Sequence, residues 1–168
     1  MRRLILLTLL AGCDPLPPPP AHAPDLGPGA APAEMSVLML ADGQDATLVE
    51  GAQGGFHVWL SYAVRGLPAG TVTLERTARR VSDGAVVLVY RGDVDVGAPA
   101  DDGWWDAPSP IPMVMCPSPI GLSIVDVPIE LTLRMLGPGD AELARAAVTV
   151  VPRCPDAQRD FCMRICTG

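Results

Sequence analysis

Phe56, Val58, Leu60, Tyr62 and Val64 alternate with His57, Trp59, Ser61, Ala63 and Arg65. Successive side chains of a strand point to opposite faces, so this period of two commits one row to a core and the other to the outside; a helix would mix the two rows around its circumference. Gly54-Gly55 and Gly66 bound the run. Ile129, Leu131, Leu133 and Met135 alternate with Glu130, Thr132 and Arg134 in the same way, and Gly137-Pro138-Gly139-Asp140 then forces a turn. Residues 146–151 are expected to return as the hairpin partner. Further strands are expected at 36–40, 46–49, 70–76, 85–90, 113–116 and 121–125. Before residue 154 helical periodicity is absent, the polar stretch 76–80 ending in Ser82-Asp83-Gly84. Seven or eight short strands punctuated by Gly, Pro and Asp predict an all-β fold, an antiparallel β-sandwich of immunoglobulin-like or fibronectin-III-like type. A small closed barrel is the alternative.

At the N-terminus, Arg2 and Arg3 precede the apolar run Leu4 to Leu10, followed by Ala11-Gly12-Cys13. A basic start, a short apolar stretch and small residues before a cut are what a cleavable signal peptide requires, and the run is far shorter than the ~20 residues of a spanning helix. Leu10-Ala11-Gly12-Cys13 resembles the lipobox of bacterial lipoproteins. The resemblance implies that residues 1–12 are removed, that the Cys13 thiol carries a diacylglycerol, and that the mature chain is anchored by lipid in the inner or outer membrane. Residues 13–34, rich in Pro, Ala and Gly, read as a linker. Proline favours extended polyproline II at ~3.1 Å per residue, so about twenty residues reach up to about 60 Å from the lipid.

Cys116, Cys154, Cys162 and Cys166 remain after Cys13. An even number in an exported chain implies two disulfides. All three possible pairings join Cys116 to one cysteine of the tail, residues 154–168, and pair the other two together. The tail is therefore expected to be stapled to the sandwich, residues 35–153, whichever pairing holds. Pro155 and Asp156 suit the start of a short helix there. A four-cysteine zinc site is the rival, but the close Cys-x₂-Cys pairs of such sites are missing. Met113, Met115 and Cys116 are soft copper ligands, yet the domain offers only His57 beside them, and the methionines read as core filler.

Residues Gln53-Gly54-Gly55-Phe56-His57-Val58-Trp59 resemble a Gln-Gly-Gly-x-His-Val-Trp stretch of bacterial envelope lipoproteins with similar all-β domains. That resemblance implies a family and no activity. His57 and Trp59 share the non-core face of their strand. Two roles are open: the histidine bonds a loop carbonyl while the indole covers an edge, or the pair forms a recognition patch.

The stretch 91–119 reads as the least sheet-like part of the chain. It offers Asp93, Asp95, Asp101, Asp102 and Asp106 beside Trp104 and Trp105. Clustered carboxylates suit Ca²⁺, and adjacent indoles suit a sugar ring. The spacing fits no EF-hand loop, and the other expectation is a solvated acidic loop with one indole closing the sandwich end.

Twelve basic against nineteen acidic residues give a formal charge of −7, and loss of Arg2 and Arg3 with the signal takes this to −9. Nucleic acid is therefore excluded as a partner. Motifs for a nucleophile elbow, a zinc protease or a phosphate loop are missing, so no catalysis and no cofactor are expected. The expected function is a structural or interaction module of the envelope, held to the membrane through its N-terminal lipid and meeting an envelope protein or glycan. The alternative is a Ca²⁺-assisted or carbohydrate-binding module built on residues 93–106.

Overall fold

A computed structural model describes residues 33–168; the lipobox, Cys13 and most of the linker lie outside the described residues. The strands are β1 (Glu34–Leu38), β2 (Gln44–Thr47), β3 (Val49–Glu50), β4 (Phe56–Arg65), β5 (Gly70–Arg80), β6 (Val86–Val96), β7 (Trp104–Asp106), β8 (Ile111–Cys116), β9 (Ile129–Leu136) and β10 (Glu142–Arg153), followed by helix α1 (Arg159–Cys166). They form two five-stranded sheets. In the first, β4 is the spine: β1 and β3 pair with it along one side, β7 and β8 along the other, all antiparallel. The second runs β2-β10-β9-β5-β6.

The alternating rows bury as the periodicity requires. Phe56, Val58, Leu60, Tyr62 and Val64 of β4 share one core with Val72 and Leu74 of β5 and with Ile129, Leu131, Leu133 and Met135 of β9. Arg76 enters this space from β5, donates to the Pro112 carbonyl at 2.7 Å and lies 4.1 Å over the Tyr90 ring, so one guanidinium ties the two sheets together. Burial pushes the Tyr62 hydroxyl above its ordinary pKa, an effect the nearby Arg76 charge opposes.

Several expectations are corrected. The single strand at 46–49 is two strands in two sheets: β2 pairs in parallel with β10, and the chain then crosses through fully buried Leu48 to β3, beside β4. That parallel pair makes the second sheet mixed, where a wholly antiparallel sandwich was expected. Residues 121–125 form no strand. Their apolar side chains Leu122, Ile124 and Val125 are buried, but the Ile124 N–H donates to the Cys166 carbonyl at 3.2 Å, so they pack under the tail. The stretch 91–119 is also more regular than expected, since it holds the second half of β6 and all of β7 and β8. Arg91, Asp93 and Asp95 sit on the outward row of β6 and alternate with Gly92, Val94 and Val96, which continues the strand past residue 90.

Those outward charges are paired across the sheet. Glu75 is buried opposite Arg91 and Arg134, which donate to its two carboxylate oxygens at 2.7 Å each. Burial alone would raise its pKa, but the hydrogen bonds and charges of Arg91 and Arg134 outweigh it and hold the carboxyl below the ordinary value. Asp83, in the β5–β6 turn, accepts from Arg80 and from the Ala85 N–H, and its pKa falls to about 2.

The disulfide from Cys116 to Cys166 closes the tail onto the sandwich, and that from Cys154 to Cys162 closes a short loop within the tail. Every tail cysteine is thereby spent, which leaves none for zinc or copper, while Met113 and Met115 are buried core residues. After Pro155 a 3₁₀ turn, Asp156–Gln158, leads into α1. Eight residues are too few to hold a helix alone. Phe161 packs 5.8 Å from Phe56, and both bridges end on α1. Structural disulfides belong to oxidising compartments, so they point to an extracellular or periplasmic location. Among the described residues no helix is long and apolar enough to cross a membrane.

Candidate functional site

The outward row of β4 sets the candidate site. Its neighbours follow from register: Val49 and Val114 flank His57, Pro112 stands beside Trp59, Leu38 beside Ser61, Ser36 and Asp106 flank Ala63, and Glu34 and Trp104 flank Arg65. Directly opposed residues of paired strands project from the same face. The outer face of the first sheet therefore carries Val49, Trp59 and Val114, 44, 45 and 44% exposed, at one end, and Trp104 at the other.

His57 lies under the turn made by residues 51–55. Gly51 N–H donates to the Gly55 carbonyl at 2.7 Å, and Gly54 N–H to the Gly51 carbonyl at 2.9 Å. A Cβ on Gly51 would overlap the imidazole, and one on Gly55 would stand 2.5 Å from the Cys116 carbonyl oxygen. Glycine is required by these two close approaches, which accounts for the spacing between the glycines and the histidine. The expected bond from the histidine to a loop carbonyl is not formed: Nδ1 is buried without a hydrogen-bond partner, and the turn's own N–H groups occupy the Gly51 and Gly55 carbonyls. Trp59 lies beside Pro112 of β8. Its indole meets the His57 ring edge-on at 6.2 Å and is 45% exposed.

Trp104 and Trp105 do not act as a pair. Neighbours in a strand face opposite ways. Trp105 turns inward against Tyr62, with ring centroids 6.2 Å apart, in a space that a side chain on Gly97 would fill. Trp104 turns outward, where the Arg65 guanidinium lies 5.0 Å over its ring and salt-bridges Glu34. The carboxylates are dispersed as well. Asp93 and Asp95 project from β6 and accept from Thr73 and Thr71, Asp101 is exposed in the turn before β7, and Asp102 accepts from the Trp104 N–H. Among the described residues no group of three or more His, Cys, Asp or Glu is placed to hold a metal ion, so the Ca²⁺ cluster of the alternative reading at 93–106 is not assembled.

What the fold does bring together is Trp59, His57 and Trp104 on one face, with Asp102 and Asp106 beside it. A trough of about 240 Å³ lies against Trp104, lined also by Ser36, Leu38, Ala63, Asp102 and Asp106. Val49, Val114 and Leu38 are members of this face that the sequence reading did not single out, while Ala63 belongs to the alternating row already recognised. The period-two signal marks them as outward residues without telling which strands lie side by side.

The sheets and bridges define a disulfide-stapled, two-sheet all-β protein with Trp59, Val49 and Val114 exposed on one sheet face. No protein-family model matches the chain, and no curated protein matches it. Among solved structures it is similar to a chain from Bacteroides fragilis described as a "putative beta-galactosidase", at 11% identity and a TM-score of 0.39. The similarity covers 71% of this chain and 16% of that one, and at this distance it carries no argument.

Proposed function

We propose that the chain is a cell-envelope lipoprotein, anchored through Cys13, whose immunoglobulin-like sandwich is an interaction module that works through the outer face of the first sheet. The observation that carries the interaction reading is the cross-strand row Val49, His57, Val114 beside Trp59: three large apolar side chains, each more than two-fifths exposed, gathered from three strands. Contiguous exposed apolar surface rimmed by polar residues marks contact sites. The lipid anchor draws its support from the lipobox pattern and from the disulfides, which require an exported chain. The sandwich type draws support from two facing sheets linked where the chain crosses through Leu48 from β2 to β3. The reading assigns no catalysis, since His57 is the sole histidine among the described residues and is tucked under its turn.

A photo-crosslinking amino acid placed at Val114 in the full chain, and separately at exposed Val81 in the β5–β6 turn, tests the contact face in cells. An adduct formed from position 114 and not from 81 is expected; equal adducts, or none from either, would refute it. Mass measurement of the N-terminal peptide tests the anchor, with a diacylglyceryl-modified Cys13 as its first residue expected.

A further inference from the structure

Resting on that reading, we infer that the outer face of the first sheet binds a linear, uncharged glycan chain laid along β4, with exposed Trp59 as a stacking platform, partly exposed Trp104, covered on one face by Arg65, as a second contact, and Asp102 and Asp106 of the trough accepting hydroxyl hydrogen bonds.

Spacing is the first ground. Trp59 and the Arg65–Trp104 row are six residues apart along β4, about 20 Å at ~3.3 Å per residue. One small ring cannot touch both indoles, whereas a chain of several sugar rings can. The surface between them is low, because Ser61 and Ala63 are the only β4 side chains on that face there. The trough against Trp104, about 240 Å³, is smaller than the pockets that enclose drug-sized ligands. A chain passing over the trough fits this shape better than a compact molecule within it.

The chemistry of the polar groups is the second ground. Carboxylates only accept hydrogen bonds. Neither Asp102 nor Asp106 forms an ion pair among the described residues, and Asp102 uses one oxygen on the Trp104 N–H. The cation on this face, Arg65, is salt-bridged to Glu34 and stacked on Trp104. The complement is a donor-rich occupant without negative charge. Sugar hydroxyls supply the donors, and the apolar side of a pyranose supplies the surface an indole stacks on. A cationic peptide would also satisfy the carboxylates, but peptide anchors seat side chains in desolvated pockets, which this open floor does not provide.

The attachment point agrees. β1 begins at Glu34, opposite Arg65 and so at the Trp104 end of the face. With about twenty residues between Cys13 and β1, the face can reach material lying up to about 60 Å from the lipid.

The test titrates detergent-extracted full chain with a β-1,4-linked N-acetylglucosamine hexamer and, separately, a β-1,4-linked glucose hexamer, read by indole fluorescence and calorimetry. At least one hexamer is expected to bind, its dimer at least tenfold more weakly. Trp59→Ala and Trp104→Ala should each cost about tenfold, and Val81→Ser nothing. Failure of both hexamers to bind would overturn the glycan assignment, as would binding indifferent to both tryptophan substitutions or displaced by an oligolysine peptide. If the hexamers fail while position 114 still captures a protein, the glycan is wrong and the interaction face stands. If position 114 captures nothing either, both fall.

Discussion

Replacing Cys116 and Cys166 together by alanine is expected to destabilise the protein more than replacing Cys154 and Cys162, because the two bridges close loops of very different length. The first joins residues 50 apart and the second residues 8 apart. In the chain-entropy account a bridge stabilises by restricting the unfolded chain, by about 4 kcal/mol for the long loop and about 2.5 kcal/mol for the short one. Side-chain losses should nearly cancel between the two double variants, since Cys116, Cys162 and Cys166 are fully buried and Cys154 almost so. A gap of about 1.5 kcal/mol is left, measurable by urea unfolding of the two variants at neutral pH without reductant. The native state adds to it in the same direction: without the long bridge α1 is held to the first sheet by the Phe56–Phe161 contact and a few backbone bonds, whereas without the short bridge Cys166 still ties it to β8. An equal or larger loss in the Cys154→Ala/Cys162→Ala protein would refute the loop-length reasoning and place the stabilisation in local packing of the tail.

Three further outcomes are expected. Trp105→Ala should cost about 3 kcal/mol or more by emptying the space beside Tyr62, and Trp104→Ala under about 1 kcal/mol, so that thermal melts of the two variants separate clearly. Glu75 has a folded pKa below its ordinary 4.5, so its contribution is complete above that value and is lost as pH falls through the depressed one. Glu75→Gln should therefore be less stable at pH 7 and show a flatter acid limb of stability against pH, and parallel limbs would contradict this. Gly51→Ala should cost about 1–3 kcal/mol by overlap with the imidazole, and much less when made in a His57→Ala protein; a double-mutant cycle with no coupling would place His57 away from the turn.

The cysteines show where sequence reasoning stops and geometry decides. Counting established two bridges and a stapled tail, but three pairings satisfied that count. The choice comes from α1, where Cys162 and Cys166 are four residues apart and so share one helical face, their sulfurs 3.9 Å from each other. From there one turns back to Cys154 at the end of β10 and the other reaches Cys116 at the end of β8. Nothing in the spacing of the cysteines distinguishes these partners, because the position of β8 against the tail depends on register with β4. The apparent strand at 121–125 failed for a related reason. Its apolar residues are buried as expected, yet under the tail, with backbone bonds that no sheet supplies.

The candidate face was half legible, by the same rule that revealed β4. Alternation identified His57 and Trp59 as outward residues, and it applies equally to Trp104 and Trp105: once they lie in a strand, one must face the core. Their adjacency in the sequence suggested a shared platform, whereas in a sheet adjacency separates them. Trp104 shares its face not with its neighbour but with Trp59, forty-five residues earlier and six residues away along β4, because β7 and β8 line the same side of β4 end to end, and the group that meets its ring is Arg65. Such a face is assembled by register, which depends on every strand in the sheet. What remains local is the requirement at residues 51–55, where two glycines make room for one histidine and for the end of β8, so the turn that starts β4 also fixes one end of the face that β4 presents.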